Sequence, residues 1–386
     1  MSVDGVDAVA LFGREQVARA RGYHAPLYTV ALIRLALDLL VLALAAFAPL
    51  GRWLLDPLAG WPWWARTAGF TALIDALTTA LGLPFAIWTG FLRERSWGFS
   101  TQSRSGFAAD RAKSFALGVA VSGAAMVGLV ASARSLPRSW PLAAGLVGSA
   151  LILALAFLAP LLVEPLFNRF VPVADAELAS ELGALAMRAR LPIKDVLVAD
   201  ASRRTRKANA YVSGLGATRR LVLYDTLLER ATRPELGLVL AHELGHRRAR
   251  HLPKGVLFAV AGLDAFDTAI WVLLGWQALR DATGAPGGAA DTRVVAFVLL
   301  LAAALQTLAA PLGAALSRRW EREADRFSLE LTGDLAAFES VHRSLALANL
   351  ADLDPPRPIY LALFSHPTPC ERIAAARRLA ASPRLG

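Results

Sequence analysis

The residue pattern with the clearest chemistry lies at positions 241–247, which read AHELGHR. His242 and His246 are four residues apart, so on a helix both imidazoles lie on one face and can reach a single ion. Glu243 lies between them, where its carboxylate can take a proton from a metal-bound water. The motif therefore predicts a site for one Zn²⁺ per chain with Glu243 as general base. The alternative interpretation is an exposed pair of helical histidines.

A catalytic zinc site needs a third protein ligand and an open position for water. His251 lies five residues after the second histidine of the motif and is expected off its helix face. Downstream, in SRRWEREADRFSLELTG, Glu321 and Asp325 are four residues apart. Glu321 is the predicted third ligand, Asp325 is suited to accept a hydrogen bond from a ligand imidazole, and Glu323 is expected to point away. The alternative is a solvated charged helix.

The helix that carries the motif has clear start and stop signals. Thr232 is a plausible N-cap, Glu235 is its capping-box partner, and Pro234 falls in the first turn. Pro253 is expected to end or kink this helix.

Six apolar segments are long enough to cross a bilayer, which needs roughly 20 apolar residues in a helix. They are residues 27–50, 69–92, 115–133, 141–163, 255–276 and 294–316. Buried helices of a soluble protein are the alternative, but six such runs in one chain disfavour it. The chain is therefore predicted to be a mainly α-helical, multi-pass membrane protein.

The composition agrees with a membrane protein. The 386 residues are 55% hydrophobic and 19% charged, which excludes disorder, and Cys370 is the single cysteine, which excludes a disulfide scaffold and a cysteine metal site. The net charge of +10 is explained by basic loops at a membrane, and no nucleic-acid motif or nucleic-acid partner is predicted. The first 26 residues lack a continuous apolar stretch and are not expected to be a cleavable signal peptide.

Loop charges predict the orientation. Residues 93–114 hold five basic side chains, more than the other short loops, so this loop and both termini are expected on the cytoplasmic side. The expected organisation is an N-terminal segment 1–26, spans one to four in 27–163, a first catalytic part 164–253, spans five and six in 254–316, and a second catalytic part 317–386. The two catalytic parts are expected to form one cytoplasmic domain.

Some charges lie inside the predicted spans. Arg34 and Asp38 are one turn apart and can pair, whereas Asp75, Asp264 and Asp267 have no obvious partner in the sequence. A water-filled cavity and local pairing between helices both remain open for them.

Between spans four and five the pattern changes. Residues 174–190 have helical periodicity, and short β-type runs follow at 195–198, 210–212 and 220–224. Gly214 and Gly216 fit a turn between the last two runs. The sequence therefore predicts a small β-sheet with a hairpin in the catalytic domain.

Several segments, in this order, resemble the integral-membrane zinc endopeptidases typified by CaaX prenyl protease type 1. The segments are ERSWGFSTQS, EPLFNRFVPV, NAYVSGLGATRRLVLYDTLL, AHELGHRRARH, SRRWEREADRFS and SHPTPCERI, and the resemblance covers roughly residues 65–380. It implies a zincin-like domain with a small β-sheet, and a peptide or membrane-protein substrate with or without a lipid. The founding eukaryotic members have seven spans, and the one missing here would precede residue 27.

The resemblance also implies residue roles. It makes His242, His246 and Glu321 the zinc ligands, Glu243 the base, and Asp325 the acid that follows the third ligand. Asn209, Ala210 and Tyr211 match a strand that binds substrate backbone, and His366 and Arg372 match a pair near the metal that stabilises the oxyanion or the substrate terminus. Taken alone, His366-Pro367 is typical of a helix-entry turn and Arg372 of a surface cation.

The predicted function is zinc-dependent hydrolysis of peptide bonds at the cytoplasmic face of the cell membrane, with the lipid bilayer as surroundings. A quality-control protease of the heat-shock type, which is shorter and has four spans, is the first alternative. A non-catalytic membrane protein with a structural zinc is the second, although Glu243 would have no role in it.

Overall fold

The computed structural model describes residues 7–213 and 220–381. The helices are α1 (Ala8–Phe12), α2 (Arg14–Phe47), α3 (Pro49–Leu55), α4 (Trp63–Ile87), α5 (Arg93–Ser96), α6 (Arg104–Ser135), α7 (Trp140–Leu158), α8 (Glu164–Phe167), α9 (Ala176–Arg188), α10 (Asp225–Leu228), α11 (Arg233–Arg248), α12 (His251–Leu273), α13 (Gln277–Ala282), α14 (Val294–Thr332), α15 (Leu335–Ala348), α16 (Arg357–Leu363) and α17 (Pro369–Ala380). The strands are β1 (Phe170–Pro172), β2 (Asp195–Ala199), β3 (Ala210–Ser213) and β4 (Arg220–Tyr224). Widened π-helical turns at Trp88–Leu92 and Ala159–Val163 continue α4 and α7.

Six continuous helical stretches in the described residues are long and apolar enough to span a membrane, as predicted. They are Arg14–Phe47, Trp63–Ser96, Arg104–Ser135, Trp140–Phe167, His251–Leu273 and Val294–Thr332. Each overlaps one predicted span. Three of them run well past the apolar run: α2 begins 13 residues before residue 27, α6 begins 11 residues before residue 115, and α14 continues to Thr332. These polar extensions leave the membrane helices and join the catalytic part of the molecule.

The N-terminal extension of α2 is held by apolar packing. Val17, Ala20 and Tyr23 are buried against Phe99 of the loop after α5 and against Leu350 in the C-terminal part. The segment before the first apolar run therefore covers the catalytic part.

The intramembrane charges are partly paired. Arg34 donates from Nε to Asp38 at 2.7 Å, as the spacing predicted, and also donates to the carbonyl of Thr78. Asp75 accepts from the Ser122 hydroxyl at 2.5 Å. Asp267 is 2% exposed, and its Oδ2 has no partner among the described residues.

The sheet has strand order β1-β2-β4-β3. The predicted hairpin is present, because β3 pairs antiparallel with β4, while β2 runs parallel to β4 and β1 antiparallel to β2. The predicted turn glycines, Gly214 and Gly216, lie outside the described residues. Strand β1 was not predicted from the sequence. Strand β3 forms one edge of the sheet, so one side of its backbone has no neighbouring strand.

The prediction for Pro253 was wrong. Helix α11 ends at Arg248, before the proline, because Arg250 adopts a left-handed conformation (φ 56°, ψ 41°). The next helix then begins at His251, and Pro253 lies in its first turn, where a missing N–H costs no helical hydrogen bond.

Three contacts tie the loop after α5 and helix α6 to the segment before β3. Arg204 binds both carboxylate oxygens of Asp110 at 2.7 and 3.1 Å, and Lys207 pairs with Glu94 at 2.8 Å. Ser100 and Thr205 form an isolated antiparallel bridge. The membrane helices therefore fix the approach to the edge strand.

Candidate metal centre

The HELGH residues of helix α11 face away from the hydrophobic core, because the opposite face of the helix packs into it. Leu236, Leu240 and Leu244 are fully buried in the cluster that joins α9 and the sheet. The predicted capping box forms: the backbone N–H of Thr232 donates to Glu235 Oε2 at 2.8 Å. The helix is thus fixed in rotation, with His242, Glu243 and His246 directed away from that cluster.

Helices α11 and α14 cross with almost no space between their backbones. A Cβ placed on Gly245 would lie 2.8 Å from Ala324 Cα and 3.0 Å from Ala324 O. On each helix two candidate site residues lie three positions before and one position after the crossing residue. On α11 they are His242 and His246 around Gly245, and on α14 they are Glu321 and Asp325 around Ala324. The crossing therefore brings two imidazoles against two carboxylates.

Donor atoms of three residues converge, and each imidazole faces a different oxygen of Glu321. The Nε2 atoms of His242 and His246 are 3.1 Å apart, and they lie 3.4 and 3.2 Å from the two carboxylate oxygens of Glu321. Ligands at zinc-like bond lengths in a tetrahedron are about 3.3 Å apart. Glu321 Oε2 is buried and makes no hydrogen bond. The three residues therefore fit a divalent cation, and the prediction of Glu321 as their partner agrees with this geometry.

The electrostatics favour a cation at this point. Burial works to raise the pKa of Glu321, but the adjacent imidazoles of His242 and His246 outweigh it and hold that pKa well below its usual range. Burial likewise works to lower the pKa of His242, yet Asp325 and Glu321 raise it to about 9. A carboxylate that stays ionised beside imidazoles stabilises positive charge between them.

Asp325 orients the first imidazole. His242 Nδ1 lies 2.9 Å from Asp325 Oδ1, which leaves Nε2 to face the metal position. Arg372 binds the same carboxylate, with Nε 2.8 Å from Oδ2. Burial would raise the pKa of Asp325, but Arg372 and His242 hold it far below its usual range. Arg372 also lies directly beside two residues of the cluster, with its Nη2 3.3 Å from His242 Nδ1 and 3.9 Å from Glu321 Oε2.

The second imidazole has a partner that sequence reasoning missed. His246 Nδ1 lies 2.9 Å from His251 Nδ1, and His251 Nε2 lies 3.1 Å from Glu323 Oε2. The His251 ring stacks on Trp320 at 4.9 Å. As expected, neither His251 nor Glu323 joins the cluster of His242, His246 and Glu321. Their contact behind His246 was not predicted, because it depends on the left-handed Arg250, which turns the chain back. The cluster of three histidines in ten residues was the available signal.

His366 reaches the centre from the opposite side. Its Nε2 lies 3.3 Å from Glu321 Oε1, and its side chain is 61% exposed, toward the cavity. Arg318, which is buried, donates to the carbonyls of Tyr360 and Phe364 at 3.0 and 2.7 Å and lies over the Tyr360 ring. The backbone just before His366 is therefore anchored to α14, one turn from Glu321.

The edge strand β3 lies beside Glu243. The backbone N–H of Val212 donates to Glu243 Oε2 at 3.4 Å, and that of Ala210 donates to Asn209 Oδ1 at 2.9 Å. Asn349 binds both backbone groups of Ala208 and so fixes the start of the strand. Asn209 and Ala210 line the cavity, whereas the Tyr211 hydroxyl contacts Glu164 at 3.3 Å on another side.

A cavity of about 630 Å³ opens over these residues. One end holds His242, Glu243, Glu321 and His366, and the wall between α11 and α15 is apolar. The far end is closed by His24 and Tyr28 of α2, which bond to Leu350 O and Asp352. The centre is therefore accessible to a molecule the size of a short peptide.

Two family models together match most of the chain. The model of peptidase family M48 matches residues 172–380, and the model described as CAAX prenyl protease N-terminal, five membrane helices, matches residues 10–169. The described part of that interval has four candidate spans. The matches begin well before residue 65, where the resemblance was expected to start.

Three similar proteins illustrate the relationship. The uncharacterized metalloprotease YhfN of Bacillus subtilis is 30% identical over 317 residues, covering 81% of this chain and 74% of that protein. CAAX prenyl protease 1 of Saccharomyces cerevisiae is 32% identical over 198 residues, 50% of this chain and 43% of the yeast protein. The crystal structure of S. mikatae Ste24p has the same fold, with a TM-score of 0.80 at 23% identity over 94% of this chain and 88% of that one.

Replacing Gly245 by Ala should separate the two helices and weaken metal binding. The added methyl group has no space against Ala324, and overpacking of this kind costs about 1–3 kcal/mol. Metal content after dialysis against a chelator series measures the effect. Gly237→Ala on the same helix is the control, since its Cβ would meet only Leu185 Cδ2 at 3.7 Å. Equal metal retention by the two variants would contradict the crossing argument.

Replacing His251 by Phe should lower metal affinity by about 10–100-fold, because His246 loses the group that orients it. Glu323→Gln should have a smaller effect in the same direction. Competition with a chromophoric chelator measures both. Glu330→Gln, an exposed acid of α14 paired with Arg326, is the matched control. Unchanged affinity in His251→Phe would refute the orienting role.

Proposed function

This chain belongs to peptidase family M48 and is a membrane metalloendopeptidase, and from this premise we propose that its metal is zinc. The proposed ligands are His242, His246 and Glu321. The observation that carries the proposal is the convergence of their atoms at 3.1–3.4 Å around a buried carboxylate oxygen with no hydrogen bond. Two imidazoles and one carboxylate, with no thiolate, form a donor set typical of catalytic zinc.

Bound zinc would act as a Lewis acid and lower the pKa of a water molecule in the open position. Glu243 takes the proton from the attacking water and then passes it to the leaving amine. Its Oε2 is close enough to the edge strand to contact a peptide paired there, as its 3.4 Å contact with Val212 N indicates.

The substrate is proposed to bind as an additional strand on β3. The backbone carbonyl of Asn209 accepts a hydrogen bond from Tyr224 N, so Asn209 faces β4. Backbone groups alternate in direction along an antiparallel strand. Tyr211 therefore also faces β4, whereas the backbone groups of Ala210 and Val212 face the cavity side. An extended peptide can pair with these outward groups. In this proposal Asn209 and Ala210 contact substrate, and Tyr211 supports the strand through Glu164.

His366 is proposed to stabilise the oxyanion. Its side chain faces the cavity beside Glu321, where a donor can reach charge that develops on the carbonyl oxygen. Arg372 and Asp325 are proposed to act indirectly, by holding His242 in the orientation that binds the metal.

The active centre is proposed to face the cytoplasm, with both termini on that side. The support is the basic loop 93–114, which packs against the catalytic part through Arg204 and Lys207. A CaaX-protease-like activity on peptides or membrane proteins, including lipidated ones, is supported by the match of residues 10–169 to the CAAX prenyl protease N-terminal model.

A direct comparison of substrates tests this assignment. The purified enzyme should cleave a prenylated CaaX peptide faster than the same peptide without the lipid. Preferential cleavage of an unfolded membrane protein would instead support the quality-control alternative and overturn the CaaX-like assignment.

Glu243→Gln should lower kcat by about 10²–10⁴-fold while the protein keeps its metal, because the change removes the base and none of the proposed ligands. Peptide cleavage and metal content are measured on the same sample. Glu229→Gln, at an exposed position before α11, is the control. Undiminished cleavage by Glu243→Gln would contradict the mechanism and favour a non-catalytic metal.

Arg318→Gln should lower kcat by about tenfold or more with little change in KM, because it frees the backbone before His366. Complete loss of an oxyanion donor lowers kcat by about 10²–10³-fold, which sets the upper limit of the effect. In a His366→Ala background the same change should add less than about twofold, because both changes then act on one missing donor. Arg318→Lys should restore part of the rate, and exposed Arg326→Gln is the control. If the decreases in kcat caused by the two single changes multiply in the double variant, Arg318 does not act through His366.

A further inference from the structure

A second cavity, of about 710 Å³, lies at the opposite end of the membrane helices from the metal centre. Helices α4 and α14 begin there, and their other ends lead to the basic loop and to Glu321. Its wall contains three tryptophans and three arginines, which are Trp61, Trp63, Arg66, Arg134, Trp140 and Arg293.

The positive charge of this cavity is not compensated. The Arg66 side chain has no hydrogen-bond or ion-pair partner in the described part of the chain, and its Nε is buried. Arg134 donates to the carbonyl of Ala290 at 3.2 Å and lies over the Trp63 ring, but no described carboxylate pairs with it. Only Arg293 is neutralised, by Asp291 at 2.8 Å. Two guanidinium groups therefore remain available to an anion.

Three helices begin at the same cavity. Trp63 and Trp140 are the first residues of α4 and α7, and Arg293 directly precedes α14. None of these three N-termini has a side-chain cap. Helix N-termini carry partial positive charge and free N–H groups, so they add to the attraction of the arginines for an anion.

The tryptophans indicate the depth of the cavity. Trp61 is 52% exposed and lines the cavity just before α4, whereas Trp140 is buried in the core of the helix bundle beneath it. Exposed tryptophans at the ends of membrane helices concentrate where lipid headgroups meet the hydrocarbon core. This position favours a lipid phosphate as the anion.

We propose that this cavity binds the phosphate of an anionic phospholipid headgroup, in the leaflet opposite the metal centre, through Arg66 and Arg134. The proposal does not depend on the peptidase mechanism.

The test uses delipidated full-length protein in detergent micelles, titrated with dioleoyl phosphatidylglycerol, with phosphatidylcholine of the same chains, and with inorganic phosphate. Bound molecules are counted by native mass spectrometry. We expect saturable binding of phosphatidylglycerol in preference to phosphatidylcholine. Arg66→Gln and Arg134→Gln should each weaken it by about tenfold or more, as expected for loss of a charged hydrogen bond.

Arg138→Gln is the matched control, because it removes the same charge four residues after Arg134, in the α6–α7 turn, at a residue outside the cavity wall. Arg66→Lys, which keeps the charge, should retain part of the affinity. Metal content and peptide cleavage establish that each variant is folded. Equal binding of both lipids, equal losses in Arg138→Gln, or binding of inorganic phosphate without lipid selectivity would each overturn the proposal.

Discussion

The contact between Gly245 of α11 and Ala324 of α14 leaves no room for a β-carbon, and the active centre depends on it. Residues three before and one after a helix crossing lie on the same face, beside the contact. On α11 these positions are His242 and His246, and on α14 they are Glu321 and Asp325. A close crossing therefore brings together the three proposed ligands and Asp325 from two helices alone. Pre-organisation of this kind is what a metal site with short ligand distances needs.

Around this crossing each ligand imidazole has its own supporting chain. Asp325 and Arg372 hold His242, while His251 and Glu323 hold His246. Glu321 has an oxygen without a hydrogen bond, and it remains ionised although it is buried. A buried carboxylate in that condition is costly unless a cation compensates it. The polar groups near the centre thus favour a cation beside Glu321, which the proposed zinc would supply.

The sequence predicted the parts whose signals are local. The HELGH spacing, the capping box of Thr232 and Glu235, the six apolar runs and the 210–224 hairpin each depend on neighbouring residues, and all are present. Glu321 could be selected because a site with two histidines lacks a ligand. The contribution of His251 could not be predicted, since it depends on one left-handed residue, Arg250, that ends α11 early. Strand β1 has three residues, too few for a periodic signal, and the direction of the Tyr211 side chain follows from its pairing with β4.

The central claim is that His242, His246 and Glu321 bind one zinc ion. Diffraction data collected above and below the zinc absorption edge from crystals of the full-length protein test it most directly. The account predicts a single anomalous peak per chain, about 2.0–2.2 Å from both Nε2 atoms and from a carboxylate oxygen of Glu321. A peak bound elsewhere, or a fully ordered centre in which Glu321 lies outside bonding distance of the metal, would contradict it.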